Sequence, residues 1–362
     1  MKLIIDTHLD LAWNALSWNR DLKRPLEEIN REEAGMTDDD ARGHATTCLP
    51  ELRRARVAVC LATIQARTKP EVRPADGFNR QNLDYKSADI TCAVGQGQLA
   101  YYRLLEEQGE VRMLHTAADL ERHWAEWQAE DCQGLPVGMI LAMEGADPIV
   151  SPAQAAVWFR DGLRSVSLAH YGMSRYAAGT SASGGLTPQG VRLLEEFQRL
   201  GIILDVTHLS DDAFFEALDR FPGPVMASHN NCRALVPGQR QFSDPQIRRL
   251  AARGAIIGVA MDAWMLYPDW KIDRVPREAV RLEAVVDHID HICQLTGDCR
   301  HAAIGSDLDG GYGTEQTPFG LDTIADLQKL AGILSDRGYA DEDIDAVFHG
   351  NWLGFFRRSL PQ

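Results

Sequence analysis

A histidine and an aspartate stand two residues apart near the start of the chain, in the segment KLIIDTHLD. The apolar run at residues 3–5 predicts a buried parallel strand that emerges into a loop at His8 and Asp10. Side chains at positions i and i+2 of an extended chain point to the same side, so this imidazole and this carboxylate can face one point. Such donors suit a divalent metal of the zinc type, although the pair alone could also be a surface histidine and aspartate.

Other residues with metal-binding or acid–base side chains also come directly after apolar runs of strand length. They are Glu144, His170, His208, His229, Asp307 and Asp309. With the first pair, they place such a residue at the end of six of the eight predicted strands. In a closed barrel the carboxyl ends of all strands converge on one face, where the active sites of such enzymes lie. The sequence therefore predicts one shared site, in which Asp309 either takes part or orients its loop.

The elements that must position these residues alternate regularly along the chain. Apolar runs of strand length cover residues 3–5, 57–65, 137–143, 165–169, 202–206, 224–227, 255–260 and 302–305. Amphipathic helical patterns cover residues 79–108, 117–128, 152–161, 188–200, 211–220, 244–253, 277–295 and 321–337. This alternation predicts an α/β fold with a mainly parallel sheet. Eight strands favour closure into a (β/α)8 TIM barrel, with an open doubly wound sheet as the alternative.

The predicted domain organisation is a single barrel domain over residues 1–362. Two long polar segments, 19–47 and 68–84, follow the first and second strands and are expected to overhang the site as lid-like loops. The acidic run at 38–40 within the first of them is interpreted as a solvated surface. A short run at 111–115 predicts an accessory strand, and the C-terminal segment 341–360 predicts a helical packing element.

Composition narrows the class of partner. A net charge of −15 over 362 residues argues against a nucleic-acid partner, which needs a basic face. The seven cysteines, Cys132 among them, are odd in number, scattered and free of CxxC pairs, which favours reduced thiols in the cytoplasm. No basic leader precedes the first strand and no apolar run approaches the ~20 residues of a membrane span, so no membrane partner is expected.

The candidate ligands are sufficient for two metal ions. The residues that would each give one ligand are His8, Asp10, His208 and His229. Glu144 has two carboxylate oxygens and can bridge, so each ion would have three protein ligands and one open position. A hydroxide shared by two cations has a lowered pKa and is a strong nucleophile near neutral pH, which predicts hydrolysis of an amide, ester or phosphoester. Asp307, after the last strand, is placed to transfer a proton to the leaving group.

Eight segments, in order along nearly the whole chain, resemble the membrane dipeptidase (renal dipeptidase) family of dizinc metallopeptidases, including its soluble bacterial members. They are DTHLDLAW (6–13), MEGADPI (143–149), SLAHYGMS (167–174), GLTPQG (185–190), LGIILDVTHLS (200–210), ASHNNCRAL (227–235), IGSDLDGG (304–311) and GNWLGFF (350–356). The resemblance implies an amidohydrolase-like barrel, two Zn2+ ions and hydrolysis of dipeptides. It assigns His8 and Asp10 to one zinc, His208 and His229 to the other, and Glu144 with a hydroxide as the bridge.

The resemblance also implies which residues contact the substrate. His170 would stabilise the developing oxyanion beside the scissile carbonyl. Arg240 would bind the free carboxylate of the dipeptide, for which a guanidinium has matching two-point geometry. Asp307 would hold the amino group or transfer the proton. Family members tolerate a D-residue at the C-terminal position, and a homodimer is a further expectation from the family.

Two other functions stay open at this point. One is a different dinuclear hydrolase on the same barrel, acting on a cyclic amide, a lactone or a phosphoester. The other is a catalytically silent metal-binding homologue. The loops 19–47 and 68–84 have no match in the family, so the preference for substrate side chains is also open. The pattern DHIDH, with His288 and His291, imitates a helical metal site but lies mid-helix and is interpreted as a solvated face.

Overall fold

A computed structural model describes residues 1–129 and 134–362; Cys132 lies outside these ranges. Eleven strands run through the described chain. They are β1 (Ile4–Leu9), β2 (Val57–Gln65), β3 (Arg67–Thr68), β4 (Asp84–Tyr85), β5 (Val111–Met113), β6 (Val137–Glu144), β7 (Ser165–Ser167), β8 (Ile203–Asp205), β9 (Val225–Met226), β10 (Ile257–Val259) and β11 (Ala302–Ile304). All eight predicted barrel strands are present, most of them one to three residues shorter than predicted. The predicted accessory strand is β5, which pairs with β6.

The barrel strands form a parallel sheet that curls on itself. Hydrogen-bonded pairs run in the order β1–β2–β6–β7–β8–β9, and β10 pairs with β11. A parallel bridge between Ala227 and Ile257 joins the two parts. Between the last and first strands, Asp307 N donates to His8 O at 3.3 Å and the Thr7 hydroxyl donates to Ile304 O at 3.2 Å. The predicted (β/α)8 barrel is therefore confirmed over the open sheet.

Fourteen α-helices surround the strands within the described ranges. They are α1 (Leu11–Ser17), α2 (Leu26–Glu33), α3 (Leu49–Arg54), α4 (Ala88–Glu107), α5 (Ala117–Trp127), α6 (Ala155–Arg160), α7 (Pro188–Leu200), α8 (Asp211–Arg220), α9 (Asp244–Ala252), α10 (Ala263–Leu266), α11 (Glu283–Thr296), α12 (Lys329–Asp336), α13 (Asp341–Asp345) and α14 (Asn351–Ser359). Short 3-10 turns lie at Pro152–Gln154, Arg277–Ala279 and Ile324–Gln328, and a π-helical turn lies at Ala346–Gly350.

Helix α7 shows why the predicted bounds of several helices match the structure. The Thr187 side chain accepts from Gly190 N and caps the first turn, and Pro188 at the first position needs no hydrogen-bond partner for its nitrogen. Gly201, with φ +74°, ends the helix in the left-handed region that glycine adopts without strain. Leu193, Leu194 and Phe197 form the buried face.

The helix predicted at 79–108 begins too early, because the chain first pairs as a strand. Arg67 N donates to Leu83 O at 2.7 Å, and β3 and β4 pair in parallel. The helix then begins after Ser87, whose hydroxyl accepts from Ile90 N. The β3–β4 strand pair and the Ser87 N-cap therefore delay the start of the helix, although residues 79–87 carry a helical pattern.

The segment 19–47 is ordered around a buried ion pair. It contains α2, and Arg20 donates to Glu33 from Nε and Nη2 at 2.9 and 3.0 Å. The acidic run at 38–40 is only partly a solvated surface: Asp38 pairs with Arg42 at 2.9 Å, and Asp39 accepts from Ala41 N. Charge pairing therefore organises a segment whose composition alone resembled a free loop.

Candidate metal centre and active-site cavity

One oxygen of Glu144 lies at the meeting point of four imidazoles. Its Oε1 is 3.1 Å from His208 Nε2, 3.3 Å from His229 Nε2 and 3.7 Å from the Nε2 atoms of both His8 and His170. All five residues lie within three residues of the carboxyl end of a barrel strand, and the side chains of Glu144, His8, His208 and His229 are almost fully buried. The carboxyl ends of the strands therefore converge as the sequence predicted.

Two carboxylates complete the cluster on the side of β1 and β11. His8 Nε2 lies 3.7 Å from Asp10 Oδ2 and 3.7 Å from Asp307 Oδ1. Possible ligand atoms lie within 4.8 Å of one another in three groups: His8 with Glu144 and His229, Glu144 with His170 and His208, and His8 with Asp10 and Asp307. Two of these groups share Glu144, as a dinuclear metal site would require.

Two of the possible metal-ligand atoms in this cluster lack hydrogen-bond partners that would otherwise explain their burial. His8 Nε2 and Asp10 Oδ1 are buried and have no hydrogen-bond partner among the described residues. His208 Nε2 and His229 Nε2 face each other at 3.3 Å. Buried polar atoms of this kind cost free energy unless they are paired or coordinate a metal. A set of nitrogen and oxygen donors fits divalent cations such as zinc.

The local electrostatics favour positive charge at the centre of the cluster. Burial lowers the pKa of His208 and of His229 well below the ordinary value, so both imidazoles are neutral and free to coordinate. Burial raises the pKa of Glu144. For His8, burial would lower the pKa, but the carboxylates of Glu144 and Asp10 raise it well above the ordinary value. The acidic groups thus attract a cation to the space beside His8.

A second layer of hydrogen bonds orients the candidate ligands. His229 Nδ1 lies 2.9 Å from the Ser228 hydroxyl, and His208 Nδ1 lies 3.0 Å from the Thr180 hydroxyl. Gln65 Nε2 donates to Glu144 Oε2 at 2.6 Å, which leaves Oε1 toward the imidazoles. Such contacts fix ring orientation in metal sites. The sequence patterns did not indicate Gln65 as a site residue, although it is the last residue of the second apolar run and so lies at a strand end.

The backbone is strained at two of the predicted site residues. His208 has φ +69° and Asp307 has φ +60°, a left-handed conformation that non-glycine residues seldom adopt. Strain of this kind persists where the surrounding structure imposes it, and it clusters at functional sites. Histidine and aspartate are among the non-glycine residues that adopt this conformation most often, so both positions combine a tolerated backbone with a functional side chain.

Asp309 lies behind the cluster and holds the segment 19–47 to the barrel. Its Oδ1 accepts from the backbone and hydroxyl of Thr46 at 2.8 and 2.6 Å, and its Oδ2 accepts from the backbone and hydroxyl of Thr47 at 3.0 and 2.8 Å. Four hydrogen bonds occupy the carboxylate, so Asp309 orients its loop, which is one of the two readings that the sequence left open.

The histidine next to the cavity has an arginine partner that the sequence did not suggest. Arg67 Nη1 lies 3.1 Å from His170 Nδ1, and Arg67 Nε donates to Asp84 Oδ1 at 2.7 Å. A guanidinium can only donate, so His170 Nδ1 accepts and the ring carries its proton on Nε2, toward Glu144 and the cavity. Burial lowers the pKa of His170 well below the ordinary value, and Arg67 lowers it further.

Arg240 is buried at the wall of the cavity and is held by neutral acceptors. Its Nη1 donates to Asn230 Oδ1 at 2.6 Å and its Nη2 donates to His229 O at 2.9 Å. Within the described ranges no carboxylate forms an ion pair with it. A buried cation without a counter-charge is costly. The guanidinium therefore suits an incoming anion, and it is tied directly to the backbone of a candidate metal ligand.

A cavity of about 160 Å3 opens above the cluster. Its lining is Asp10, Trp13, Gln65, Leu83, Glu144, His170, Tyr171, His208, Arg240, Asp262, Trp264, Met265, Asp307, Gly310 and Gly311. Six of the eight predicted site residues line it, and the other two, His8 and His229, lie in the metal-ligand cluster. The sequence analysis did not identify Asp262 as a site residue. It follows the seventh predicted barrel strand, at 255–260, so the search for polar residues at strand ends could have found it.

The histidines of the DHIDH pattern lie elsewhere and have structural partners. His288 is 1% exposed, and its Nδ1 accepts from Cys232 N at 3.0 Å. His291 Nε2 lies 2.8 Å from Asp244 Oδ1. The prediction of a solvated face is wrong for His288, because α11 turns that residue toward α9 and the loop before it.

None of the helices in the described ranges has the length and apolar character needed to cross a bilayer.

Comparison with known proteins points to one family. The family model described as membrane dipeptidase, peptidase family M19, matches residues 1–359. An uncharacterised Klebsiella pneumoniae protein is 28% identical over 277 residues, which are 73% of this chain and 96% of the relative. Dipeptidase tcpJ of Claviceps purpurea is 31% identical over 205 residues, 56% of this chain and 46% of the relative. The chain thus spans about half the length of that curated dipeptidase.

Solved structures share the fold over the whole chain. A metallopeptidase named dipeptidase AC has a TM-score of 0.79 at 24% identity, covering 100% of this chain and 99% of its own. A metallopeptidase from Rhodobacter sphaeroides, solved with a phosphinate mimic of the dipeptide L-Ala-D-Ala, has a TM-score of 0.77 at 23% identity and covers 99% of this chain and 100% of its own.

Proposed function

The chain belongs to the membrane dipeptidase family, peptidase family M19, and on that basis we propose that it is a dizinc dipeptidase that hydrolyses free dipeptides. The observation that carries the proposal is the position of Glu144 Oε1 between four imidazole nitrogens at 3.1 to 3.7 Å. A shared carboxylate among buried imidazoles is the donor set of a dinuclear hydrolase.

In this proposal His8 and Asp10 would hold one zinc, His208 and His229 would hold the other, and Glu144 would be shared by both. The two groups that share Glu144 support the bridge. When bound, the cations supply Lewis acidity, which polarises a carbonyl oxygen and lowers the pKa of water. The protein's part is to keep the imidazoles of His208 and His229 neutral through burial and oriented through the hydroxyl groups of Thr180 and Ser228.

Arg240 binds the free carboxylate of the dipeptide. Its guanidinium is oriented by Asn230 and by the His229 carbonyl, so a carboxylate that reaches it is placed at a set distance from the metal ligands. Because the site is buried, a charge-assisted pair formed here is stronger than one at the surface. This contact selects substrates whose free carboxylate lies on the residue directly after the scissile bond, and it disfavours peptides that are extended at the C-terminus.

His170 and Asp307 act on the reacting amide. The Nε2–H of His170, held in that tautomer by Arg67, is available to donate to the oxygen on which charge develops. Burial raises the pKa of Asp307 well above its ordinary value, so this carboxyl can hold a proton beside the cluster and pass it to the departing amine, or accept a hydrogen bond from the substrate amino group.

Acceptance of a D-residue at the C-terminal position belongs to the same proposal. It is supported by the Rhodobacter sphaeroides relative, which was solved with a mimic of L-Ala-D-Ala.

We further propose one domain over residues 1–362, with segments 19–47 and 68–84 as lids; Leu83, from the second segment, lines the cavity. The six cysteines in the described ranges are free, which fits the predicted reducing compartment, and a homodimer stays an expectation from the family.

The test is hydrolysis of a matched library of L,L- and L,D-dipeptides by the zinc-loaded protein, with metal content measured on the same sample. We expect turnover of free dipeptides, two zinc ions per chain, and loss of turnover when the substrate carboxylate is amidated. Equal hydrolysis of free and amidated dipeptides would favour another dinuclear hydrolase. Two bound zinc ions with no turnover of any dipeptide, lactone, cyclic amide or phosphoester would favour the silent homologue.

A further inference from the structure

A buried carboxylate in the cavity has no counterpart in the chemistry described so far. Asp262 is 5% exposed and lines the cavity together with Arg240 and Asp307. It follows β10, whereas Arg240 follows β9 and Asp307 follows β11, so the three residues enter from neighbouring sectors of the barrel mouth. Within the described ranges Asp262 forms no ion pair with a lysine, arginine or histidine.

Asp262 accepts hydrogen bonds from Gln316 and from both the backbone and the indole of Trp264. Gln316 Nε2 donates to Oδ1 at 2.9 Å, and Trp264 N donates to the same Oδ1 at 3.3 Å. The second contact caps the four-residue helix α10. A cap needs only a short polar side chain, and serine or asparagine would supply it without a buried charge. All of these donors are neutral, so none of them gives the buried carboxylate an opposite charge.

The charges of the cavity can be matched with those of a dipeptide. This inference depends on the proposed function. There, Asp10 and Glu144 would bind the metals, Arg240 would bind the substrate carboxylate, and Asp307 would bind the amino group or transfer the proton. A dipeptide with neutral side chains has no further charge. One buried acid, Asp262, is then left without a counter-charge, and such a group is costly unless a ligand supplies the opposite charge.

We propose that Asp262 is a specificity-determining residue that binds a cationic side chain, of the lysine or arginine class, on the C-terminal residue of the dipeptide. The C-terminal residue is indicated because Arg240, which would bind its carboxylate, is the charged group that acts most strongly on Asp262. Trp264 and Met265, on the helix that Asp262 caps, also line the cavity and offer apolar surface for the methylene stem of such a side chain.

The electrostatics of the free cavity agree with this role. Burial raises the pKa of Asp262 to about 7, and the positive charge of Arg240 only partly opposes the shift. A carboxyl that is costly to ionise in the empty cavity gains most from a cation that arrives with the substrate. The gain is specific to charge, so an isosteric neutral side chain should not produce it.

The test compares substrates that differ only in that charge. We expect the wild-type, zinc-loaded enzyme to hydrolyse Ala-Arg with a kcat/KM at least about tenfold above that of Ala-citrulline, since a buried charge-assisted hydrogen bond exceeds a neutral one by about that factor. The reversed pair, Arg-Ala and citrulline-Ala, should show no such ratio. In Asp262→Asn, which keeps the capping oxygen, the ratio for the first pair should fall to near one.

Asp269→Asn is the matched control, because it removes the same charge from an exposed position seven residues further on. This variant should keep the wild-type ratio. Equal rates for Ala-Arg and Ala-citrulline in the wild-type enzyme, a preference confined to Arg-Ala, or a ratio that survives in Asp262→Asn would overturn the inference. All three results leave dipeptide hydrolysis intact, whereas failure of the proposed function would appear as no hydrolysis of Ala-Ala or of any other dipeptide.

Discussion

Gln65 and Glu144 are register partners in the adjacent strands β2 and β6, and the side-chain amide of Gln65 donates to Glu144 Oε2 at 2.6 Å. The contact satisfies one oxygen of a buried carboxylate and leaves the other among the imidazoles. A backbone register, set by seven successive pairs between the two strands, thus decides which oxygen of Glu144 faces the metal site.

Replacing Gln65 with methionine should weaken metal binding. The substitution keeps a side chain of similar length but removes the donor, so Oε2 of Glu144 is left buried without a partner. We expect zinc affinity or kcat to fall by about 10- to 100-fold, as for other residues that orient metal ligands. Zinc titration against a competing chelator measures the effect, and Gln189→Met, at an exposed position on α7, should be neutral.

Glu144→Ala should remove the bridge and lower the metal content below two ions per chain, with loss of turnover. The physical reason is that four imidazoles at this point would share no anionic ligand. Elemental analysis and a dipeptide assay on one preparation check both parts. Glu195→Ala, an exposed glutamate on α7, is the control. A Glu144→Ala protein with two zinc ions and full activity would contradict the assignment.

Arg240→Ala should act mainly on substrate binding, through a rise in KM, with kcat/KM lowered by about 100-fold or more for free dipeptides. The wild-type enzyme should hydrolyse dipeptide amides far more slowly than free dipeptides, whereas the variant should not distinguish them. The reason is that the substitution of Arg240 and the amidation of the substrate carboxylate remove the same contact. Arg248→Ala, exposed on α9, should retain the discrimination. Additive losses from the variant and the amide would show that Arg240 and the carboxylate do not meet.

Asp309→Asn should destabilise the protein without altering the metal ligands. Two of the four hydrogen bonds from Thr46 and Thr47 would meet an amide instead of a carboxylate oxygen. Because charge-assisted hydrogen bonds are lost, we expect the free energy of unfolding to fall by about 2 to 3 kcal/mol, as measured by urea denaturation. Asparagine also accepts the positive φ of +61°, so strain does not confuse the result. Asp40→Asn, exposed in the segment 19–47, is the control.

The stability of the metal-free protein should depend on pH through Asp262. Its pKa is raised by burial from 3.8 to about 7, so the folded state binds this proton more tightly than the unfolded state. Stability from this group is present at low pH and is lost as pH rises from about 4 to about 7. Asp262→Asn should therefore match the wild type near pH 4.5 and exceed it by a few kcal/mol at pH 8.

Urea unfolding of both proteins at several pH values measures this difference, and the other titrating groups cancel in the comparison. Asp269→Asn should follow the wild-type curve. A constant difference between Asp262→Asn and the wild type from pH 4.5 to pH 8 would show that the carboxyl of Asp262 titrates normally.

The strand ends were the most predictable part of the site. His208 and Asp307 each follow an apolar run directly, and parallel strands in a barrel bring such positions together whatever the intervening helices do. The residues that support them were less predictable. Thr180 lies in a loop far along the chain from β8, and its contact with His208 depends on how that loop folds back. No periodicity in the sequence reports such a contact.

The sequence by itself determined the alternation of strands and helices, the chemistry at the strand ends and membership of the family, because these follow from local pattern and from motifs in order. Only the tertiary structure decided which oxygen of Glu144 faces the imidazoles, that Arg67 sets the tautomer of His170, and that Asp262 is left without a counter-charge. Those facts depend on strand register and on loops that pack over the barrel mouth. Both arise from contacts between residues far apart in sequence, which no local pattern encodes.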